Sequence, residues 1–284
     1  MEPLVSRAIS YRYARLLTMS RALLTLSRPK HWAKNVFVAA PAIFAFSVEP
    51  IDFVLPVASA FVSFCLLSGA VYAFNDTVDA NRVRQHPTKK NRPVAAGIIT
   101  RRSASVFAAV LTVASFSLQA LTLPKSFLVI ALVYLLNSVA YSLFIKTRVI
   151  ADVLSIAFGF VLRLLAGSVA INVAPSSWLV VCGFSLALFL GFGKRRVELG
   201  LMGGQTSYRP SLVSYSVEKV DTLLAVTAAI TILAYMLYTI SPATVNLHGT
   251  EHLIYSAPFV IYGVFRCLFK VQEGAEDGPV NLIF

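Results

Sequence analysis

Acidic side chains are scarce in this chain, with 13 Asp and Glu against 25 Lys and Arg in 284 residues, and charge of both signs amounts to only 13% of the sequence. A soluble domain carries roughly 25% charged residues, so a water-exposed surface is hard to build from this composition. Cysteine is equally sparse. Cys65, Cys182 and Cys267 fall inside apolar runs and form no CxxC pair, which excludes a disulfide framework or a zinc site and leaves them as small packing residues. There is no GxGxxG, no GxxxxGK[ST], no HExxH and no heptad repeat. No low-complexity linker divides the chain, and its start lacks the apolar stretch and small-residue cleavage site of a secretory signal.

What fills the sequence is apolar. The fraction is 57% and the mean hydropathy is +0.73. Several runs reach the ~20 residues that cross a hydrocarbon core of ~30 Å. Lipid cannot satisfy backbone N–H and C=O groups, so such runs must be helices. The expected fold is therefore all-α: a polytopic transmembrane helix bundle of about eight spans, near 34–48, 52–74, 104–122, 126–144, 150–171, 177–193, 220–240 and 252–269. The first is the shortest. Pro41 interrupts it, and Glu49, Pro50 and Asp52 close it.

A net charge of +12 would suit a nucleic-acid binder, but its distribution points elsewhere. Lys and Arg crowd the N-terminal segment and every second connection after it, while the intervening connections hold almost none beyond Lys125. That alternation is the positive-inside pattern. It predicts a multi-pass protein with both termini cytoplasmic, in contact with the lipid bilayer and with no nucleic-acid partner. Part of the basic charge serves topology and anionic lipid alone.

The second span ends in Asn75-Asp76-Thr77-Val78-Asp79, followed by Asn81, Arg82 and Arg84, then His86-Pro87-Thr88-Lys89-Lys90-Asn91-Arg92-Pro93. If the helix continues past residue 75, Asn75 and Asp79 lie one turn apart and Asp76 shares a face with Asp79. Two carboxylates and an amide oxygen offer hard ligands to Mg²⁺, which typically takes one or two protein carboxylates and completes its octahedron with water and substrate phosphate. The cations just downstream suit the same phosphates. The plainer reading is a helix end with local Asp79–Arg82 pairing. Against it stands the cost of placing two scarce acids at the lip of a span with nothing to bind.

A second cluster, Gly191-Phe192-Gly193-Lys194-Arg195-Arg196-Val197-Glu198, follows the sixth span. It reads either as a topology anchor or, with Glu198 one turn from Lys194, as an anion pocket on the same membrane face. Tyr141, Lys146 and Asp152 lie at the end of the fourth span and the start of the fifth. They extend the polar site or serve as interfacial anchors. Arg163 lies roughly 16 Å along its helix from Asp152, deep in the apolar layer. No acid in the neighbouring span cores can pair with it. It either faces a cavity or is bonded to backbone carbonyls.

Together these motifs resemble the UbiA superfamily of intramembrane prenyltransferases. The runs Asn75-Asp76-x-x-Asp79, Arg28-Pro29-Lys30-His31-Trp32-Ala33-Lys34-Asn35, His86 to Pro93, Phe160 to Arg163 and Gly193 to Leu199 are most similar to its decaprenyl-phosphate phosphoribosyltransferase branch, and the likeness covers residues 25 to 270. The resemblance implies a reaction in which a polyprenyl phosphate attacks C1 of 5-phosphoribosyl 1-diphosphate, releasing diphosphate, on the way to a lipid-linked arabinofuranose donor. It implies Mg²⁺ as cofactor, held by Asn75, Asp76 and Asp79. Asp76, Asp79, Arg82, Lys89 and Arg92 would be catalytic. Lys34, His86, Tyr141, Lys146, Arg163, Lys194, Arg195, Arg196 and Glu198 would bind the remaining phosphates. The implied location is the bacterial inner membrane with the active site facing the cytoplasm, and a homo-oligomer is compatible with the sequence. Three segments are expected: a basic N-terminal segment 1–27, a transmembrane catalytic domain 28–270 and a polar tail 271–284.

Two departures accompany the resemblance. The third aspartate of the family's first motif is replaced by Val83, for which Asn81 is a candidate substitute, and the ninth span usual in the family is missing. Transfer of a prenyl group from a prenyl diphosphate, or an inactive accessory or transport role, are the alternative readings.

Overall fold

The computed structural model describes residues 19–44, 50–84, 89–201 and 210–274. Helices joined by turns and short loops make up these residues, with no strand among them. Seven helical stretches are long and apolar enough to cross a membrane. They contain α1 (Pro50–Val83), α2 (Arg101–Thr122), α3 (Lys125–Leu143), α4 (Ala151–Ala170), α5 (Ser177–Leu201), α6 (Val217–Ile240) and α7 (Ala257–Gln272), the last entered through a 3₁₀ turn, His252–Ser256. Local chemistry sets several of the boundaries. Thr100 caps α2 by accepting from Ser103 N–H, and Ser216 caps α6 by accepting from Lys219 N–H.

Two helices run further than their apolar cores require. α1 has 34 residues, about 50 Å of helix against a core of ~30 Å, and so carries Asn75, Asp76 and Asp79 to the membrane rim in unbroken helical register. α5 likewise continues through Lys194 to Glu198. Both motifs thus stand on rigid helix ends rather than loops.

α4 is the central element. In its most apolar stretch 72% of the residues are buried within the protein, against 17% for the last span, which faces outward. It packs against α3 and α5, while α1 packs on α2 and α5 on α6. Between α1 and α2, where lipid offers no partner, Ser63, Ser115 and Gln119 hydrogen-bond to one another.

The expected first span differs. Residues 34–48 do not form a crossing helix: Pro29–Val38 is a 3₁₀ segment and Ala40–Phe44 a single short helix, with 45–49 outside the described residues. Pro41 and the polar pair Lys34 and Asn35 account for the difference, since a regular helix would lack a backbone bond at the proline and turn these side chains toward lipid. The segment still follows the bundle from end to end. Arg28 meets Asp76 at the rim, Asn35 meets Ser68 and Arg163 in the middle, and the Phe44 ring packs on Tyr238 at the far end. Non-helical backbone at such depth is tolerated where it lines a cavity. Gly167 of α4 makes this approach feasible: a Cβ there would lie 2.0 Å from the Val38 carbonyl oxygen. Upstream, residues 19–27 are helical and place Ala22 and Leu26 in the core with Ala73 and Ala80 of α1.

Candidate active site

A cavity of about 400 Å³ opens between the rim ends of α1, α3 and α5, and its walls descend along α4 and the 3₁₀ segment. It collects residues far apart in sequence. Of those read as functional from sequence, Lys34, Asn75, Asp79, Arg82, Arg92, Tyr141, Lys146, Arg163, Lys194 and Glu198 all line it. So does Val83, so the position of the missing third carboxylate belongs to the same wall. Asn81 does not substitute for it, because its Oδ1 accepts from Arg101.

The two aspartates have separate circumstances. Asp79 lines the cavity and accepts from Lys146 Nζ at 2.5 Å; the local pair with Arg82 is replaced by this long-range one. Asp76, 4% exposed, is not part of the lining, and its Oδ1 is gripped by Arg28 and by Arg92, the latter at 3.1 Å. Asn75 Oδ1 is buried without any hydrogen-bond partner. An orphaned amide oxygen one turn from a cavity carboxylate is costly unless a cation completes it, and two protein oxygens are within what Mg²⁺ takes from a protein that shares it with phosphate. The donor set therefore fits Mg²⁺ through Asn75 and Asp79. No cluster of three or more His, Cys, Asp or Glu suited to a metal occurs among the described residues.

Cations dominate the walls. Seven Lys and Arg line the cavity (Arg28, Lys34, Arg82, Arg92, Lys146, Arg163, Lys194) against two carboxylates, Asp79 and Glu198. Their field is felt at the rim: burial first, then Lys34, Arg28, Lys194 and Arg92, push His31 down to about 4. Arg92 is also lowered, by burial and by Arg28, with Asp76 and Asp79 opposing.

Arg163 lies at the floor, 6% exposed. Its Nε donates to Asn35 Oδ1 at 2.8 Å, Nη1 to the Gly159 carbonyl at 2.9 Å, and Nη2 to Tyr134 OH at 2.8 Å and Ser68 Oγ at 3.4 Å. Both of its sequence readings hold at once: it faces a cavity and it is tied to a backbone carbonyl.

The second cluster divides. Lys194 and Glu198 face the cavity, whereas Arg195 and Arg196 do not line it. Arg195 is fully buried, donating from Nε to Asp152 Oδ2 at 2.8 Å and from Nη1 to Glu198 Oε2 at 2.6 Å. Asp152, also fully buried, further accepts from Ser211 Oγ at 3.4 Å and from Tyr215 OH at 3.2 Å. Arg196 donates to Asp221 of α6 at 2.9 Å. These two arginines are consumed by helix-to-helix ties, because the helical period that points Lys194 and Glu198 inward turns 195 and 196 to the flanks. The network also holds strain. Ile150, the residue before α4, has φ +65°, a rare conformation for a β-branched residue, and its N–H donates to Tyr215 OH at 2.7 Å. Burial, together with Asp152 nearby, pushes the Tyr215 phenol up to about 12.

His86 lies outside the described residues; Lys89 begins a short 3₁₀ turn, Lys89–Asn91, and its side chain lies outside them too. Sequence reasoning gives no site role to Arg28 or His31, which stand only within a motif run, and does not single out Tyr72, Tyr134 or Asn137, yet all five line the cavity. Arg28 precedes Pro29 and has φ +52°, and its guanidinium lies over the Tyr72 ring at 4.8 Å.

The fold and sequence have close counterparts. A UbiA homologue from Archaeoglobus fulgidus bound to DMAPP and Mg²⁺ superposes with a TM-score of 0.76 at 19% identity, covering 92% of each chain. A protein of Mycolicibacterium smegmatis named decaprenyl-phosphate phosphoribosyltransferase is 32% identical over 92% of this chain and 85% of its own length. One of the same name from Mycobacterium tuberculosis is 30% identical over 90% and 85%. The profile of the UbiA prenyltransferase family matches residues 35–279, and the chain belongs to that family of multi-pass membrane transferases.

Proposed function

We propose that the protein transfers 5-phosphoribose from 5-phosphoribosyl 1-diphosphate to a polyprenyl phosphate, releasing diphosphate, as a step toward a lipid-linked arabinofuranose donor. The single observation that carries this reading is the charge balance of the cavity, seven Lys and Arg to two carboxylates. That surplus suits a substrate set bearing a diphosphate and two further phosphates better than one prenyl diphosphate. The phosphoribosyltransferase names of the relatives support the same choice.

The reaction breaks the bond from C1 to the diphosphate oxygen, the leaving group keeping the electron pair, and forms a bond from C1 to an oxygen of the lipid phosphate. That nucleophile is ionised near neutral pH, so no general base is needed. Mg²⁺, when bound, neutralises the departing diphosphate. Asn75 and Asp79 would hold it, and Lys146 keeps Asp79 oriented. Asp76 acts indirectly, fixing Arg28 and Arg92 where charge develops on the leaving group. Arg82 and Lys194 bind phosphate oxygens; Glu198 and Tyr141 suit sugar hydroxyls. The positive-inside pattern supports a mouth on the cytoplasmic face, and the bacterial relatives support the inner membrane as its location.

The test is transfer of ribose label from 5-phosphoribosyl diphosphate into an organic-extractable lipid by detergent-purified protein. Label should appear with Mg²⁺ and a polyprenyl phosphate, vanish with chelator, and fall about a hundredfold or more in Asp79→Ala. No transfer from folded protein across several lipid lengths, with activity instead on a prenyl diphosphate, would overturn the proposal.

A further inference from the structure

The floor of the cavity differs chemically from its mouth. The mouth has Asn75 and Asp79 to share a metal with phosphate. The floor has cations and neutral oxygens only. Arg163 is held by four hydrogen bonds, all to uncharged acceptors, and no ion pair to it occurs among the described residues. It lies against the rings of Tyr134, Phe64 and Phe160, with centroids 4.7, 5.7 and 5.5 Å from its guanidinium carbon. Lys34 lines the same cavity, close enough to Arg163 for the two charges to repel, and its ammonium has no hydrogen-bond or ion-pair partner among the described residues. Two cations set together in an apolar wall, without a carboxylate between them, are unfavourable unless an anion joins them.

Depth separates Arg163 from the mouth's metal, while Lys34 feels both Arg163 and the rim cation Arg28. Arg163 reaches Ser68, eleven residues below Asp79 on one continuous helix, which corresponds to roughly 16 Å of rise. An anion here must be neutralised by protein cations alone. Two cations match one phosphate monoester, which carries about −1.5 to −2 near pH 7, and the guanidinium is held in place before the ligand arrives.

We propose that Lys34 and Arg163 form a metal-independent subsite for a phosphate monoester, separate from the metal-dependent diphosphate subsite at Asn75 and Asp79. This rests on the phosphoryl-substrate reading of the cavity given above. The monoester comes either from the sugar, as its 5-phosphate, or from the lipid headgroup. Asn35 and Tyr134 are positioning residues: they fix the guanidinium and do not touch the ligand.

The experiment is ligand-induced thermal stabilisation of the full chain in detergent, measured with excess EDTA. Ribose 5-phosphate and farnesyl phosphate are titrated separately, and inorganic diphosphate with Mg²⁺ serves as the mouth probe. At least one monoester should raise the unfolding temperature in EDTA, and whichever does so at the lower concentration identifies the source. Lys34→Gln, a change at a cavity side chain that anchors no other residue, should weaken that monoester about tenfold or more, the loss expected of one charged hydrogen bond. It should change Mg²⁺–diphosphate binding less than about twofold, and Asp79→Ala should give the converse pattern. Monoester binding that requires Mg²⁺, or that survives Lys34→Gln unchanged, overturns the subsite. Radiolabel transfer separates the two proposals. A protein that transfers label but fails the EDTA test keeps its function and loses this subsite. One that passes the EDTA test yet transfers nothing keeps the subsite and loses the phosphoribosyl reaction.

Discussion

Arg163 and Arg195 are both buried arginines in adjacent helices of one bundle, and their surroundings are opposite. Arg195 has carboxylates on two sides, Asp152 at 2.8 Å and Glu198 at 2.6 Å, and does not line the cavity. Arg163 has hydroxyl, amide and carbonyl oxygens and three aromatic rings, and it does line the cavity. A buried charge compensated from within the fold is a brace: it ties the start of α4 to the end of α5, and through Tyr215 to the segment ahead of α6. A buried charge left to be compensated by something that comes and goes is a binding group. The distinction is one of charge balance and not of hydrogen bonding: Arg195 keeps two carboxylates although its buried Nη2 has no hydrogen-bond partner, whereas every nitrogen of Arg163 donates and none donates to a carboxylate.

The largest effect expected from this contrast is on stability. Arg195→Gln removes the guanidinium that donates to wholly buried Asp152, and breaking a buried pair by removing one partner costs about 3–5 kcal/mol. Thermal unfolding in detergent should show the loss directly, and the double variant Arg195→Gln with Asp152→Asn should recover a large part of it. If the double variant is no more stable than the single, Arg195 is not a brace and the comparison fails.

Arg163→Gln should split the other way. No carboxylate is stranded, and glutamine can keep part of the hydrogen bonding to Asn35 and Tyr134, so the unfolding temperature should drop by less than half as much. Phosphoribosyl transfer should fall about 10²–10³-fold, the range for loss of a preorganised donor to a charged group. A variant that loses stability and activity in the same proportion as Arg195→Gln would put Arg163 among the braces.

How much of this is legible in sequence follows from the range of each interaction. Of the eight spans read from the apolar runs, seven are crossing helices, and both motifs at helix ends can be read from spacing because neighbours three and four residues apart share a face on any helix. The isolation of Arg163 is legible too, since no acid lies in the neighbouring span cores. The partner of Arg195 is not: Asp152 is 43 residues away, and no local period connects them. With only the motif in view, Arg195 is indistinguishable from Lys194 beside it, although one is a brace and the other lines the cavity. The broken first pass is half legible. Pro41 marks the interruption, but the close approach of Val38 to Gly167 that gives the 3₁₀ segment its place is a tertiary fact.

The smallest effect expected is also the one that reads the cavity's field without any substrate. His31, at the rim, is pushed down to about 4 by burial and then by Lys34, Arg28, Lys194 and Arg92, with the Tyr72 ring as its neutral neighbour at 5.5 Å. In the unfolded chain it titrates near 6.5. Between those values the unfolded state holds the extra proton, so stability rises with pH from about 4 to about 6.5 and is lost again on acidification through that window. His31 is packed against the rim on one side and open to solvent on the other, so screening reduces the effect, to a change of about 1–2 °C in unfolding temperature. His31→Gln should flatten that part of the pH profile, and so should saturating inorganic diphosphate with Mg²⁺, which offsets the cations that depress the imidazole. The brace around Arg195, already neutralised by its own carboxylates, should leave no comparable diphosphate-sensitive step. An acid slope that persists in His31→Gln, or one that diphosphate leaves untouched, would mean that the cavity's surplus charge is balanced inside the protein after all.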